Sequence, residues 1–158
     1  MFNIDQARSI VADMQALLDA TTPAAATVRV SPDAWTLGEI VGHLIDSASN
    51  NHQRFARLRL GHLEGFPGYD AEVWVQAQHY AACDFHTLAA LWTHYNALLL
   101  HLAATTPPEV LDNRWMRPAA AGGPMTLDAL ITDYYAHLRL HLEQYAGRLA
   151  EVKTSLYK

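Results

Sequence analysis

Prolines and glycines cut this sequence into four long stretches, and within each the apolar residues recur every three to four positions. That period winds an α-helix with one apolar face. The first stretch covers residues 3–20, with Ile4, Ala7, Ile10, Val11, Met14, Leu17 and Leu18 on one side. Thr21-Thr22-Pro23 ends it, because proline has no N–H to donate to the preceding turn. The second opens at a T-x-x-E capping box, Thr36 and Glu39, and carries Leu37, Ile40, Val41, Leu44, Ile45, Ala48, Phe55 and Leu58 towards Gly61. The third starts from Asp84 as N-cap and stops at Pro107-Pro108. The fourth opens at Thr126 and runs to residue 152. Asp70 is placed to cap a short helical turn through Trp74. Residues 27–30 read as a β-favouring connector, and 106–125 as a long connection ending in Gly122-Gly123-Pro124. Four one-faced helices can only bury those faces on one another, so the expected fold is all-α, a four-helix bundle. Period-two alternation is scarce, so no sheet is expected.

A chain of 158 residues suits a single domain, here residues 1–158, and can bury about 70% of its unfolded surface without disulfides or a structural metal. Charged residues are 17% against 51% apolar, which excludes a disordered chain. The net charge of −5 comes with no cationic block, so nucleic acid is not expected as a partner. Asp5 interrupts the start before a signal-peptide apolar run can form. No apolar run approaches the roughly 18 residues of a membrane span. The expected location is the cytoplasm, away from membranes. The single cysteine, Cys83, leaves no intramolecular disulfide and no Cys-rich zinc module; it reads as a small apolar residue.

Nine histidines are many for this length. On the predicted helices, His137 and His141 form the one i,i+4 pair, which sets two imidazoles one turn apart on one face. Chance alone yields roughly half such a pair in a chain of this composition, so the spacing is weak evidence by itself. On the helical wheel His141 lies roughly 60° from the apolar centre and His137 roughly 100°, which also suits core histidines bonded to carbonyls or tyrosines. A third ligand, which a zinc-type site requires, is available in His43. Asp46, Ser47, Asn50 and Arg54 continue its stripe along the second helix. That stripe lies about 130° from the apolar centre of its helix, where periodicity alone favours a solvated face. His94 and His101 read as solvated or boundary residues, and His52, His62, His79 and His86 stand alone. Trp35, Trp74, Trp92 and Trp115 read as packing residues.

Taken as a string, His43-Leu-Ile-Asp46-Ser47-Ala-Ser-Asn50-Asn-His-Gln-Arg54-Phe55 resembles the H-L-x-D-S-x-x-N-x-x-x-R-F helix of the DinB/YfiT-like superfamily. It is most similar to the YfiT branch of metal-dependent hydrolases and bacillithiol transferases. Tyr69-Asp70-Ala-Glu72-Val-Trp74 is similar to that branch's P-Y-D-E-x-x-W segment, with Gly68 where proline is usual. Thr126-Leu127-Asp128-Ala-Leu130 is similar to its T-L-E-E-L helix start, and Tyr135-Ala-His137-Leu-Arg139-Leu-His141 to its histidine-bearing turn. The resemblance runs from Trp35 to Tyr145. It implies a four-helix bundle in which His43, His137 and His141 hold a divalent metal, zinc or nickel, and it implies a homodimer. Leu140 and Ala48 stand where the branch often carries further histidines, which alters the lining of the pocket, and the region before Ser31 is shorter than in YfiT proteins.

Three imidazoles leave a zinc ion one open position, the arrangement of catalytic sites. Such an ion activates water or deprotonates a thiol. Asp46 is then a candidate to orient an imidazole or accept a proton, and Asn50 and Arg54 to hold a carboxylate or carbonyl. The expected function is a metal-dependent thiol-group transferase or hydrolase whose partner is a small molecule, with a low-molecular-weight thiol as co-substrate. Two other classes fit the same residues: a non-catalytic metal-binding or stress-related domain, and a helical interaction module with purely structural histidines.

Overall fold

The computed structural model describes residues 2–156; Met1 and residues 157–158, the ends of the expected domain, lie outside the described residues. Each helix begins where a side chain satisfies the orphan N–H groups of a first turn. Helix α1 (Ile4–Asp19) starts from Asn3, whose side chain accepts from the N–H groups of Asp5 and Gln6. A four-residue helix, α2 (Pro23–Ala26), follows, with Thr22 as its cap. Both halves of the Thr36/Glu39 capping box are formed at the head of α3 (Leu37–Leu58). Asp70 caps α4 (Ala71–Ala77) and Asp84 caps α5 (Phe85–Ala104). The last helix, α6 (Leu127–Leu156), is the longest at 30 residues.

The four long helices form a bundle. Helix α3 packs on α5 and α6, and α1 packs on the same two, so α1 and α3 stand across a diagonal from one another. Trp92, Tyr145, Phe55 and Met14 are the largest fully buried side chains. Two of the hydroxyls buried in the bundle find partners, as burial favours. The Tyr145 hydroxyl donates to Thr21 Oγ1 at 2.9 Å, and Tyr134 donates to Asn96 Oδ1 at 2.8 Å.

Three local readings of the sequence differ from the structure. Residues 27–30 form no strand; the helical turn of α2 precedes them instead. A small sheet does exist, where β1 (Arg114–Trp115) pairs antiparallel with β2 (Met125–Thr126) inside the long connection. Its backbone is completed by Leu63, which donates to Arg114 O at 2.9 Å and accepts from Met116 N–H at 2.8 Å. Loop closure, not apolar alternation, makes this pair, so period two could not reveal it. It presses Trp115, which is buried, towards α3. Cys83 is exposed rather than packed as a small apolar residue. Among the described residues no helix is long and apolar enough to cross a membrane.

Candidate metal centre

The capping box sets where α3 begins, and α3 carries His43 less than two turns in. Helix α6 carries His137 and His141 on the facing side. The three Nε2 atoms converge: His141 to His137 at 3.0 Å, His43 to His141 at 3.1 Å and His43 to His137 at 3.4 Å. A tetrahedral zinc ion with Zn–N bonds of about 2.0–2.1 Å separates its nitrogens by about 3.3 Å. The donor triangle therefore has the edge length of three corners of such a tetrahedron. Among the described residues this is the one cluster of histidine, cysteine or carboxylate side chains that could enclose an ion.

The protonation pattern fits a cation as well. His141 Nδ1 lies 2.6 Å from Gln144 Oε1. An amide oxygen only accepts, so Nδ1 carries the proton and Nε2 presents its lone pair. Burial, then the fields of His141 and His137, lower the His43 pKa from 6.5 to about 4. Burial, then His141, lower His137 to about 4, and burial lowers His141 against the opposing Gln144 bond. Neutral imidazoles are the form that binds a metal. The His43 ring also packs against Trp35, with centroids 5.2 Å apart. Trp35 is fixed by Arg148, which donates to its carbonyl at 2.6 Å, and by its own indole N–H on Glu72. His43 Nδ1 is buried with no hydrogen-bond partner, so the ring is held by packing on that side.

Helical periodicity favours a solvated face for His43, and the structure corrects this. His43 is only 5% exposed. Its ring is enclosed by Trp35 and by His137 and His141 of α6; about one turn on, Asp46 meets Gln78 and Tyr80. The polar stripe of α3 thus meets α6 at His43 and the segment after α4 at Asp46.

Asp46 is 3% exposed. Its Oδ1 accepts from Tyr80 at 2.7 Å and from Gln78 at 2.8 Å, while Oδ2 is buried without a partner. Burial raises its pKa, partly offset by those two bonds. It contacts no imidazole by hydrogen bond. Tyr80 reaches it only because position 42 is glycine: a Cβ there would overlap the Tyr80 ring. Asn50 is half-buried and spends its amide on the Asp46 carbonyl, 2.9 Å away. Its neighbour Asn51 instead faces Arg54, and both line a cavity of ≈ 250 Å³ that His137 also lines. The asparagine in the cavity is thus one position on from the expected one. No periodic signal separates the two. Gln144 was also outside the sequence reading, although its place three residues after His141 is a legible spacing. The remaining histidines stay apart from the cluster, with His62, His79, His86, His94 and His101 exposed and His52 half-buried against Tyr95.

The sequence profile of the DinB superfamily matches residues 6–145. No curated protein matches the chain. Among solved structures, YfiT from Bacillus subtilis, described as a probable metal-dependent hydrolase with an unusual four-helix bundle topology, has a TM-score of 0.78 and 18% identity. The match covers 97% of this chain and 85% of that one, and at this identity it is a likeness of fold.

Proposed function

The chain belongs to the DinB superfamily, and from that premise we propose that it is a metal-dependent enzyme acting on a small molecule, with His43, His137 and His141 as the ligands of a divalent ion. The observation that carries this reading is the convergence of three Nε2 atoms within 3.4 Å of one another. A cation between the three Nε2 atoms would accept the lone pair of each neutral imidazole at once.

A bound zinc or nickel ion supplies Lewis acidity and makes a thiol or a water a nucleophile near neutral pH. The chain does the rest. Gln144 holds the His141 tautomer, and Trp35 fixes the plane of His43. Asp46 keeps one carboxylate oxygen free of partners inside the protein, the form of a group that can receive a proton. The reaction class this arrangement serves is transfer of a thiol to an electrophile, or hydrolysis, with Arg54 positioning the substrate.

The test is the metal content of protein purified without a histidine tag, measured beside a His137→Ala/His141→Ala variant. A single transition-metal ion per chain, lost in the variant, is the expected result. Turnover of a low-molecular-weight thiol with an electrophile then distinguishes an enzyme from a metal-carrying domain. Wild-type protein that takes up neither zinc nor nickel overturns the reading.

A further inference from the structure

The cavity beside His137 contains two guanidinium groups and almost nothing to neutralise them. Arg54 is 7% exposed. Its flat face lies over Trp115, 4.2 Å from the ring centroid, with Phe66 at 5.4 Å. Those contacts satisfy the face of the guanidinium and leave its in-plane N–H donors to find partners. Among the described residues Arg54 makes one hydrogen bond, a long one of 3.4 Å to Asn51 Oδ1, and its Nε is buried with no acceptor. Among the described residues no carboxylate stands within ion-pair distance of it.

Arg117 approaches the same indole, 5.4 Å from its centroid. It comes from the connection before α6 and is held there by the glycine turn. Its Nε donates to Gly123 O at 2.9 Å. Gly122 and Gly123 have φ of +92° and +72°, a left-handed path that glycine takes without strain. A side chain at Gly122 would also crowd the Arg117 Nη2, 3.2 Å from a Cβ placed there. With Nε committed, the outer N–H groups of Arg117 have no acceptor among the described residues. One carboxylate lines the cavity, Asp133, but it is exposed and makes no ion pair with either arginine.

Two like charges held around one indole, one of them buried, are a costly arrangement unless something negative enters. From this juxtaposition we infer that Arg54 and Arg117 form an anion subsite for the carboxylate of a small substrate whose reacting end lies towards His137. The placement of the reacting end rests on the metal-centre reading; the subsite itself does not. Guanidinium forks match a planar carboxylate edge to edge. Tyr69, Trp115 and Tyr134 supply aromatic walls for a short carbon skeleton. A volume of ≈ 250 Å³ has room for a molecule the size of an amino acid or a benzoate.

Benzoate, benzamide and inorganic phosphate are the probes, titrated by calorimetry into the chelator-treated full chain. The proteins are wild type, Arg117→Met, Arg54→Met and His137→Ala/His141→Ala. Benzoate is expected to bind at least about tenfold more tightly than benzamide, and Arg117→Met to remove that preference. The His137→Ala/His141→Ala variant should keep the preference, which separates this inference from the metal reading. Arg117 is only half-buried, so its variant decides the matter even where Arg54→Met fails to fold. Equal binding of benzoate and benzamide, or an unchanged preference in Arg117→Met, overturns the subsite. Phosphate binding as tightly as benzoate overturns the carboxylate class. Benzoate that binds only after zinc is restored is a ligand of the metal, and that also overturns the subsite.

Discussion

The Nε2 atoms of His43 and His141 lie 3.1 Å apart although 98 positions separate the residues in the chain. A contact that long in sequence exists only in the folded bundle, so an ion held there binds the folded state and not the unfolded one. Binding is then folding free energy. Zinc at a free concentration roughly a hundredfold above its Kd should stabilise the wild type by about 2.7 kcal/mol. His43→Ala should remove most of that gain, because it leaves the ion only the two imidazoles of α6. Thermal unfolding with and without zinc checks this; a His43→Ala protein that is stabilised as strongly as wild type would remove His43 from the site.

The metal-free protein should lose stability in acid across a defined window. His43 and His137 have folded pKa values near 4 against an ordinary 6.5, with burial as the main cause. Between pH 6.5 and 4 the unfolded chain takes up protons that the folded chain refuses. Stability therefore falls as pH falls through that interval, is fully present above it, and is flat below it for these groups. Asp46 acts in the opposite direction in acid, since burial raises its pKa, so the comparison must isolate the histidines. Urea midpoints measured from pH 7 to 4 should slope in wild type and slope much less in His137→Ala/His141→Ala. Parallel slopes would contradict the depressed pKa values.

How much of this was legible in the sequence depends on the range of the forces involved. The capping residues Asn3, Thr36, Asp70 and Asp84 act on their own first turns, so three of them marked helix starts directly. His137 and His141 are neighbours on one helix, and i,i+4 spacing exposed them. His43 was hidden from periodicity because a helix wheel describes one environment per face. Trp35 and the two α6 histidines that enclose it lie beyond any wheel drawn on α3 alone; only the resemblance of the whole string singled the residue out. Arg117 sits in an irregular connection, where no period operates, and its position follows from a glycine turn and a two-residue strand pair closed by Leu63.

Two glycines on long helices should respond oppositely to the same substitution. Gly42→Ala places a methyl group inside the Tyr80 ring, and Tyr80 must retreat from Asp46. Overpacking of this kind costs about 1–3 kcal/mol. Gly147 is exposed on α6, with nothing within 4 Å of a Cβ placed there. Gly147→Ala should stabilise by about 0.5–1 kcal/mol through helix propensity alone. Chemical denaturation of both variants checks the pair. Equal effects would mean that Tyr80 does not depend on the missing side chain.

Asp46 offers the sharpest separation of stability from function. Its Oδ1 is held by Tyr80 and Gln78, but Oδ2 is buried with no donor, and burial raises its pKa. A carboxylate kept in that state lowers the stability of the fold, and such local defects concentrate at working sites. Asp46→Asn preserves the shape and an oxygen for Tyr80 while removing the buried charge. Its NH2 finds no acceptor where Oδ2 lay, which offsets part of the gain, so stability at pH 7 should rise by less than about 1 kcal/mol. The same variant should keep its zinc, since Asp46 is not among the clustered ligand side chains. If Asp46 receives a proton during turnover, its rate should nevertheless fall by about a hundredfold. Unfolding midpoint, metal content and kcat measured on one preparation distinguish the cases. Lost metal together with lost rate would place Asp46 in support of the histidines, whereas unchanged rate with raised stability would leave it outside the chemistry.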